Sequence, residues 1–176
     1  MALPSVLAEV LRGIALNRTP GYHFPIHFLD LSFDSVSREE THLSMAPGPH
    51  CIDATGHLHM GALALLADLS MSASMRAGRD PSTRTATVSM TVSITGVPPE
   101  GRVGSTGGVT SLVIGGRGEQ GSTRFIMRSG QGVIAHGGGS FMVLDPPPGV
   151  KLLPVTMRKH GDPLPPPIAP ASLTAA

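Results

Sequence analysis

Residues 61–75 read Gly61-Ala-Leu-Ala-Leu-Leu-Ala-Asp68-Leu-Ser-Met-Ser72-Ala-Ser-Met75, a run of helix formers and small side chains holding one ionisable group, Asp68. Continued to about Arg76, the stretch predicts a helix of about four turns, apolar on nearly every side. Such a helix is wrapped by other structure rather than laid along a surface. A carboxylate inside it is costly unless it is paired or put to use. Asp68 is therefore the residue from which function is read.

Working outward, Val6, Leu7, Val10, Leu11 and Ile14 recur at spacings of three and four between Ser5 and Ala15, which predicts a short amphipathic helix. His27 to Val36 reads as a strand turning near Ser37 to Glu39 into a second, Thr41 to Met45. Cys51 to His59 reads as a loop. Beyond Gly78-Arg-Asp-Pro81 come four strand-like runs, Thr85–Thr95, Arg102–Ile114, Thr123–Arg128 and Gln131–Leu144. Their connectors, Gly96–Gly101, Gly115–Ser122 and the tight Ser129-Gly130, are rich in turn formers, so an antiparallel meander is expected. The element order suggests an α+β chain in which a mostly antiparallel sheet of about six strands curls around one long helix.

The bulk properties narrow the function. With 176 residues, 40% of them hydrophobic, the chain suits one domain with a real core. A formal charge of +1 with 14% charged residues gives no electrostatic footprint for nucleic acid or a membrane surface. Cys51 is the only cysteine, which excludes an internal disulfide and reads as a small buried hydrophobe. Glu9 and Arg12 interrupt the first apolar pattern, and no run approaches the ~20 apolar residues of a membrane span. A soluble cytoplasmic protein is expected. Prolines crowd the end, from Asp145-Pro-Pro-Pro-Gly onward, so residues 1–147 are expected to form the domain and 148–176 a flexible tail.

The chemistry concentrates in Asp53-Ala-Thr-Gly-His57-Leu-His59-Met60-Gly61 and the helix as far as Asp68. Over roughly residues 5 to 145 the chain resembles the hot-dog acyl-CoA thioesterases, in particular the PaaI-like (phenylacetate-pathway) group. There a His-Gly-Gly signature opens the central helix, an amide residue lies six positions before the His, and an acid follows nine positions after it. His59, Asp53 and Asp68 take those places, and Ser72 and Thr87 fall where relatives carry hydroxyls. Met60 replaces the first glycine of the pair and Asp53 replaces the amide. Asp53-Ala-Thr-Gly-His57 is also similar to the Asp-x-x-Gly-His element of the 4-hydroxybenzoyl-CoA thioesterase group, whose loop Asp is itself the catalytic carboxylate. The resemblance implies a hot-dog fold, hydrolysis of an acyl-CoA, and a site shared across a homodimer or dimer of dimers.

Physical chemistry makes the arrangement reasonable. Asp68 lies about 10 Å along the helix from Gly61 and on the same face. Unpaired N–H groups at Met60 and Gly61, backed by the helix dipole, are expected to polarise the thioester carbonyl, a role whose loss costs ~2.7–4 kcal/mol. Gly61 gives a pantetheine arm room. Asp68, held by Ser72 or Thr87, would act as general base on water or as nucleophile. Asp53 is either the competing acid or an Asx-turn residue, and His59 an orienting or capping group. No histidine shows ligand spacing with a cysteine or acid cluster, so neither a metal nor a cofactor is expected beyond the coenzyme A of the substrate.

Gly115-Gly-Arg-Gly and Gly137-Gly-Gly lack the strand-to-helix setting of a phosphate loop and read as a turn and a close-packed strand. Phe24-Pro-Ile-His27 resembles an element of MaoC-like enoyl thioester hydratases, but it leads into the first hairpin rather than the long helix. The rival from another class is a non-catalytic acyl-CoA-binding or structural protein of the same fold.

Overall fold

The computed structural model describes residues 23–115, 118–130 and 132–144, with the single positions 7, 10, 11, 14 and 149. Positions 7, 10, 11 and 14 are helical. The rest of the helix expected over 5–15 and nearly all of the 148–176 tail lie outside the described residues.

Where a strand was expected to begin at His27, the chain forms a short helix, α1 (Phe24–Phe28). Pro25 stands in its first turn, where a fixed φ favours helix and the missing N–H loses nothing. Asp30 then takes φ 52° and Leu31 N–H donates to Ile26 O at 2.8 Å, which closes the turn. Only Ser32–Ser35 remains as strand β1, paired antiparallel with β2 (Thr41–Met45). The hairpin is locked where Thr41 Oγ1 donates to Ser37 O at 2.7 Å. A single 3-10 turn (Pro49–Cys51) leads into the 52–59 loop, and Cys51 is buried.

Helix α2 (Met60–Arg76) matches the expected span. Leu63, Leu66, Ala67, Met71 and Met75 are fully buried, and each of the larger ones contributes roughly 1.5–3 kcal/mol of burial free energy. The helix is not enclosed all round, however. Leu65, Asp68, Leu69, Ser72 and Arg76 follow one another at three- and four-residue steps and form a stripe that is only half-buried. Apolar side chains in that stripe, which made the sequence look buried on every side, face a cleft.

Four long strands follow: β3 (Arg84–Ile94), β4 (Val103–Gly115), β5 (Gly118–Ser129) and β6 (Gly132–Leu144). Strands β4, β5 and β6 form a meander, with Gly130 at φ 54° turning the last hairpin. β3 does not join the meander in sequence order. The sheet runs β1-β2-β4-β5-β6-β3, so the chain leaves α2, crosses to the far edge and lays β3 against β6 alone. β5 also begins earlier than the turn-rich 115–122 stretch implied, because the ladder continues to Gly115 opposite Gly118. Backbone pairing overrides weak strand propensity there.

Missing side chains set the close approaches. A Cβ on Gly107 of β4 would lie 2.6 Å from the Ser70 carbonyl carbon, so the helix rests directly on the strand. Ser70 and Ser105 hydroxyls meet beside it at 2.8 Å. A Cβ on Gly137 would fall 2.0 Å from Thr91 O, which identifies the Gly137-Gly-Gly run as the close-packed strand it was expected to be. One helix held in the curl of a six-stranded antiparallel sheet is the hot-dog arrangement.

Candidate active site

The half-buried stripe of α2 forms one wall of a cleft of about 210 Å³. Asp68 and Ser72 face it from the helix, Thr87 and Arg84 from β3, and His23 from the entry to α1. Thr87 Oγ1 donates to Asp68 Oδ1 at 2.5 Å, which orients the carboxylate on the cleft wall. Ser72, the other hydroxyl expected to hold Asp68, instead donates to Leu69 O at 3.3 Å within its own helix.

The helix start departs from expectation in one respect. His59 is the N-cap of α2, and its Nδ1 accepts from Gly61 N–H at 3.1 Å. One of the two amides expected to be open is therefore occupied, and the accepting Nδ1 places the ring proton on Nε2. Met60 N–H has no acceptor among the described residues. A second, mostly apolar cleft of about 220 Å³ opens beside His59 and Gly61, bounded by Phe28 and Leu29. Leu65 lines both clefts and is the wall they share.

Asp53 lies apart from this surface. It is exposed, and its Oδ1 accepts from Thr55 N–H at 2.8 Å, Thr55 Oγ1 at 2.7 Å and His57 N–H at 3.1 Å, an Asx turn closed within its own loop. The Thr55 hydroxyl, then the Thr55 and His57 amides, hold its carboxyl below the usual range. His57 bridges the loop to Gly96 O at 2.9 Å. The structure thus brings Asp68, Thr87 and Ser72 to one cleft and Gly61 and His59 to its neighbour, and it keeps Met60 and Asp53 off the walls of both.

Two cleft residues escaped sequence reasoning. His23 was read only as part of a His23-Phe-Pro stretch leading away from the long helix, yet it is half-buried between Asp68 and Arg76; burial chiefly, then the Arg76 charge, holds its pKa below the ordinary imidazole value while Asp68 pulls the other way. Arg76 reads as an ordinary basic residue in a helix's last turn, favourable to the dipole. Its position two turns beyond Asp68 on the same face was the available signal.

No protein-family model matches the chain, and no curated protein matches it. Solved structures do. A Bacillus halodurans protein crystallised with CoA is 18% identical, with a TM-score of 0.62 over 82% of this chain and 94% of its own. A thioesterase family protein from Silicibacter pomeroyi is 16% identical, with a TM-score of 0.61 over 79% and 98%. A thioesterase from Haemophilus influenzae is 13% identical, with a TM-score of 0.59 over 68% and 82%. At these identities the likeness is one of fold.

Proposed function

We propose that the chain hydrolyses acyl-CoA thioesters to the free acid and CoA, in the manner of the PaaI-like group. The observation that carries the reading is the Thr87–Asp68 hydrogen bond on the wall of the cleft beside the long helix. Asp68 takes a proton from water as the water oxygen attacks the thioester carbon; the tetrahedral oxyanion collapses, the C–S bond breaks, and the proton passes to the departing CoA sulfur. Similar solved structures support the substrate class, since one was crystallised with CoA and two are named thioesterases.

The oxyanion needs amide donors that the same helix cannot offer to its own Asp68, because Met60 lies about 12 Å of helix rise away. A second copy can supply them. Among the described residues β3 leaves an eleven-residue edge unpaired, with Val88 and Ile94 exposed at 56% and 45%, and such an edge invites pairing with another copy. We therefore read the working form as a homodimer or a dimer of dimers, with the amides of one subunit facing the acid of the other. A developing oxyanion outcompetes the neutral His59 ring for Gly61 N–H, since charge-assisted hydrogen bonds are roughly twice as strong as neutral ones.

A panel of acyl-CoA thioesters followed with a thiol reagent tests the reading. Hydrolysis by the wild type, abolished by Asp68→Asn and retained by Asp53→Asn, supports it. Hydrolysis indifferent to Asp68→Asn refutes it. The capped Gly61 amide favours one second reading, an acyl-CoA-binding protein without hydrolysis. Calorimetric binding of acyl-CoA with no turnover would establish that alternative.

A further inference from the structure

Asp68 marks where a thioester carbon must sit, and the cleft continues past it toward Arg76. Arg76 lies two turns on, about 12 Å in helix rise, and lines the same cleft as the carboxylate. Its Nε is buried without a hydrogen-bond partner, and no carboxylate of the described residues lies within ion-pair distance of it. The charge that acts on it is another cation, Arg84. Arg76 Nη2 approaches Pro81 O at 3.5 Å, and Arg84 Nη1 reaches the same oxygen at 3.0 Å, so the two guanidinium groups converge on one carbonyl. Burial, then the Arg84 charge, weakens the hold of Arg76 on its proton. An arriving anion relieves both costs.

The cleft also limits what that anion can belong to. At about 210 Å³, walled by Ile26, Phe33 and Leu69, it is below the usual range for a whole small-molecule ligand and far too small for the CoA nucleotide. It has room for a short acyl group. Resting on the hydrolase reading, we infer that the acyl group carries its own carboxylate: the substrate is the CoA thioester of a short dicarboxylic acid, and Arg76 is the residue that selects it. Arg presents a planar fork that meets a carboxylate in two parallel hydrogen bonds.

The test is a ratio, kcat/KM for glutaryl-CoA over kcat/KM for valeryl-CoA, a pair matched in chain length and differing in the terminal charge. Because it is a ratio, any general damage to folding divides out. The wild type is expected to favour glutaryl-CoA, and Arg76→Gln to lower the ratio by about 10- to 100-fold, the worth of one charge-assisted contact. Arg76→Lys retains part of it, and added salt reduces the wild-type ratio. A ratio that Arg76→Gln leaves unchanged overturns the proposal, including the case where KM rises equally for both thioesters because Arg76 meets the CoA phosphates. If neither thioester is hydrolysed, the hydrolase reading fails, and calorimetry with the same two compounds reads the ratio as affinities. A preference for glutaryl-CoA that Arg76→Gln removes keeps the anion site, and equal affinities overturn it.

Discussion

Thr87 Oγ1 and Asp68 Oδ1, 2.5 Å apart, join the edge strand of the sheet to the middle of helix α2. The hydroxyl orients the carboxylate on the cleft wall. Thr87→Val, nearly the same size, is expected to lower kcat about 10- to 100-fold with little change in KM, as misplacement of a general base does. A change confined to KM would show that Thr87 binds substrate instead.

His59→Ala removes the ring that caps Gly61 N–H. Loss of an N-cap costs about 0.5–2 kcal/mol, read by urea denaturation. The freed amide is then open to the oxyanion, so kcat is expected to hold or rise. A fall in kcat beyond tenfold would mean that the imidazole itself takes part in the reaction.

The contact of Gly107 with Ser70 leaves no room for a methyl group. Gly107→Ala forces α2 away from β4 against backbone that cannot yield, at about 1–3 kcal/mol by analogy with overpacked cores. Gly56→Ala is the contrasting case, since its strain lies in a φ of 85° with nothing within 4 Å of the new carbon. Thermal denaturation checks the contrast: Gly107→Ala is expected to lose more stability than Gly56→Ala, and a Gly107→Ala protein as stable as wild type would show that the helix does not rest on the strand.

Asp53 stabilises its loop as a charged acceptor. Its folded pKa lies below the unfolded one, so its contribution is present above the ordinary carboxylate range and is lost as pH falls through the depressed folded value. Asp53→Ala is therefore expected to be less stable than wild type at neutral pH, with the two curves converging on acidification. Asp53→Asn, which keeps the accepting oxygen, should sit between them. A difference that grows toward acid pH would contradict the turn role.

The unpaired edge of β3 predicts association. Sedimentation is expected to show a dimer or larger, and Val88→Lys, a charge on that edge, to shift it toward monomer with loss of hydrolysis. A folded, active monomer would remove the need for a shared site.

The sequence made the helix and its acid legible because both are local signals, an apolar run of sixteen or so positions and one carboxylate within it. Strand Thr41–Met45 was equally plain from its alternation. The fate of β3 was not, because which edge a strand joins depends on contacts made far along the chain. His59 was read as an orienting or capping group and does cap the helix; that it occupies the Gly61 amide was not legible, nor was the approach of His23 to the cleft of Asp68 and Arg76, which arises only once the chain before α2 has folded against it. His27 and Phe28 were read as the start of a strand because the apolar residues of the short helix Phe24–Phe28 are too few to show a period, while Pro25 carried the better information.

The placement of β3 has a consequence for the order in which the site comes into being. Asp68 and Thr87 are near neighbours in sequence, and a ribosome delivers them almost together. Within one copy, though, β3 has β6 as its sole partner in the sheet, and β6 is the last strand of the described chain to emerge. Until it does, Thr87 has no ladder to hold it against the helix. The carboxylate is thus written early and armed late, so a chain still being made carries the acid without the hydroxyl that aims it.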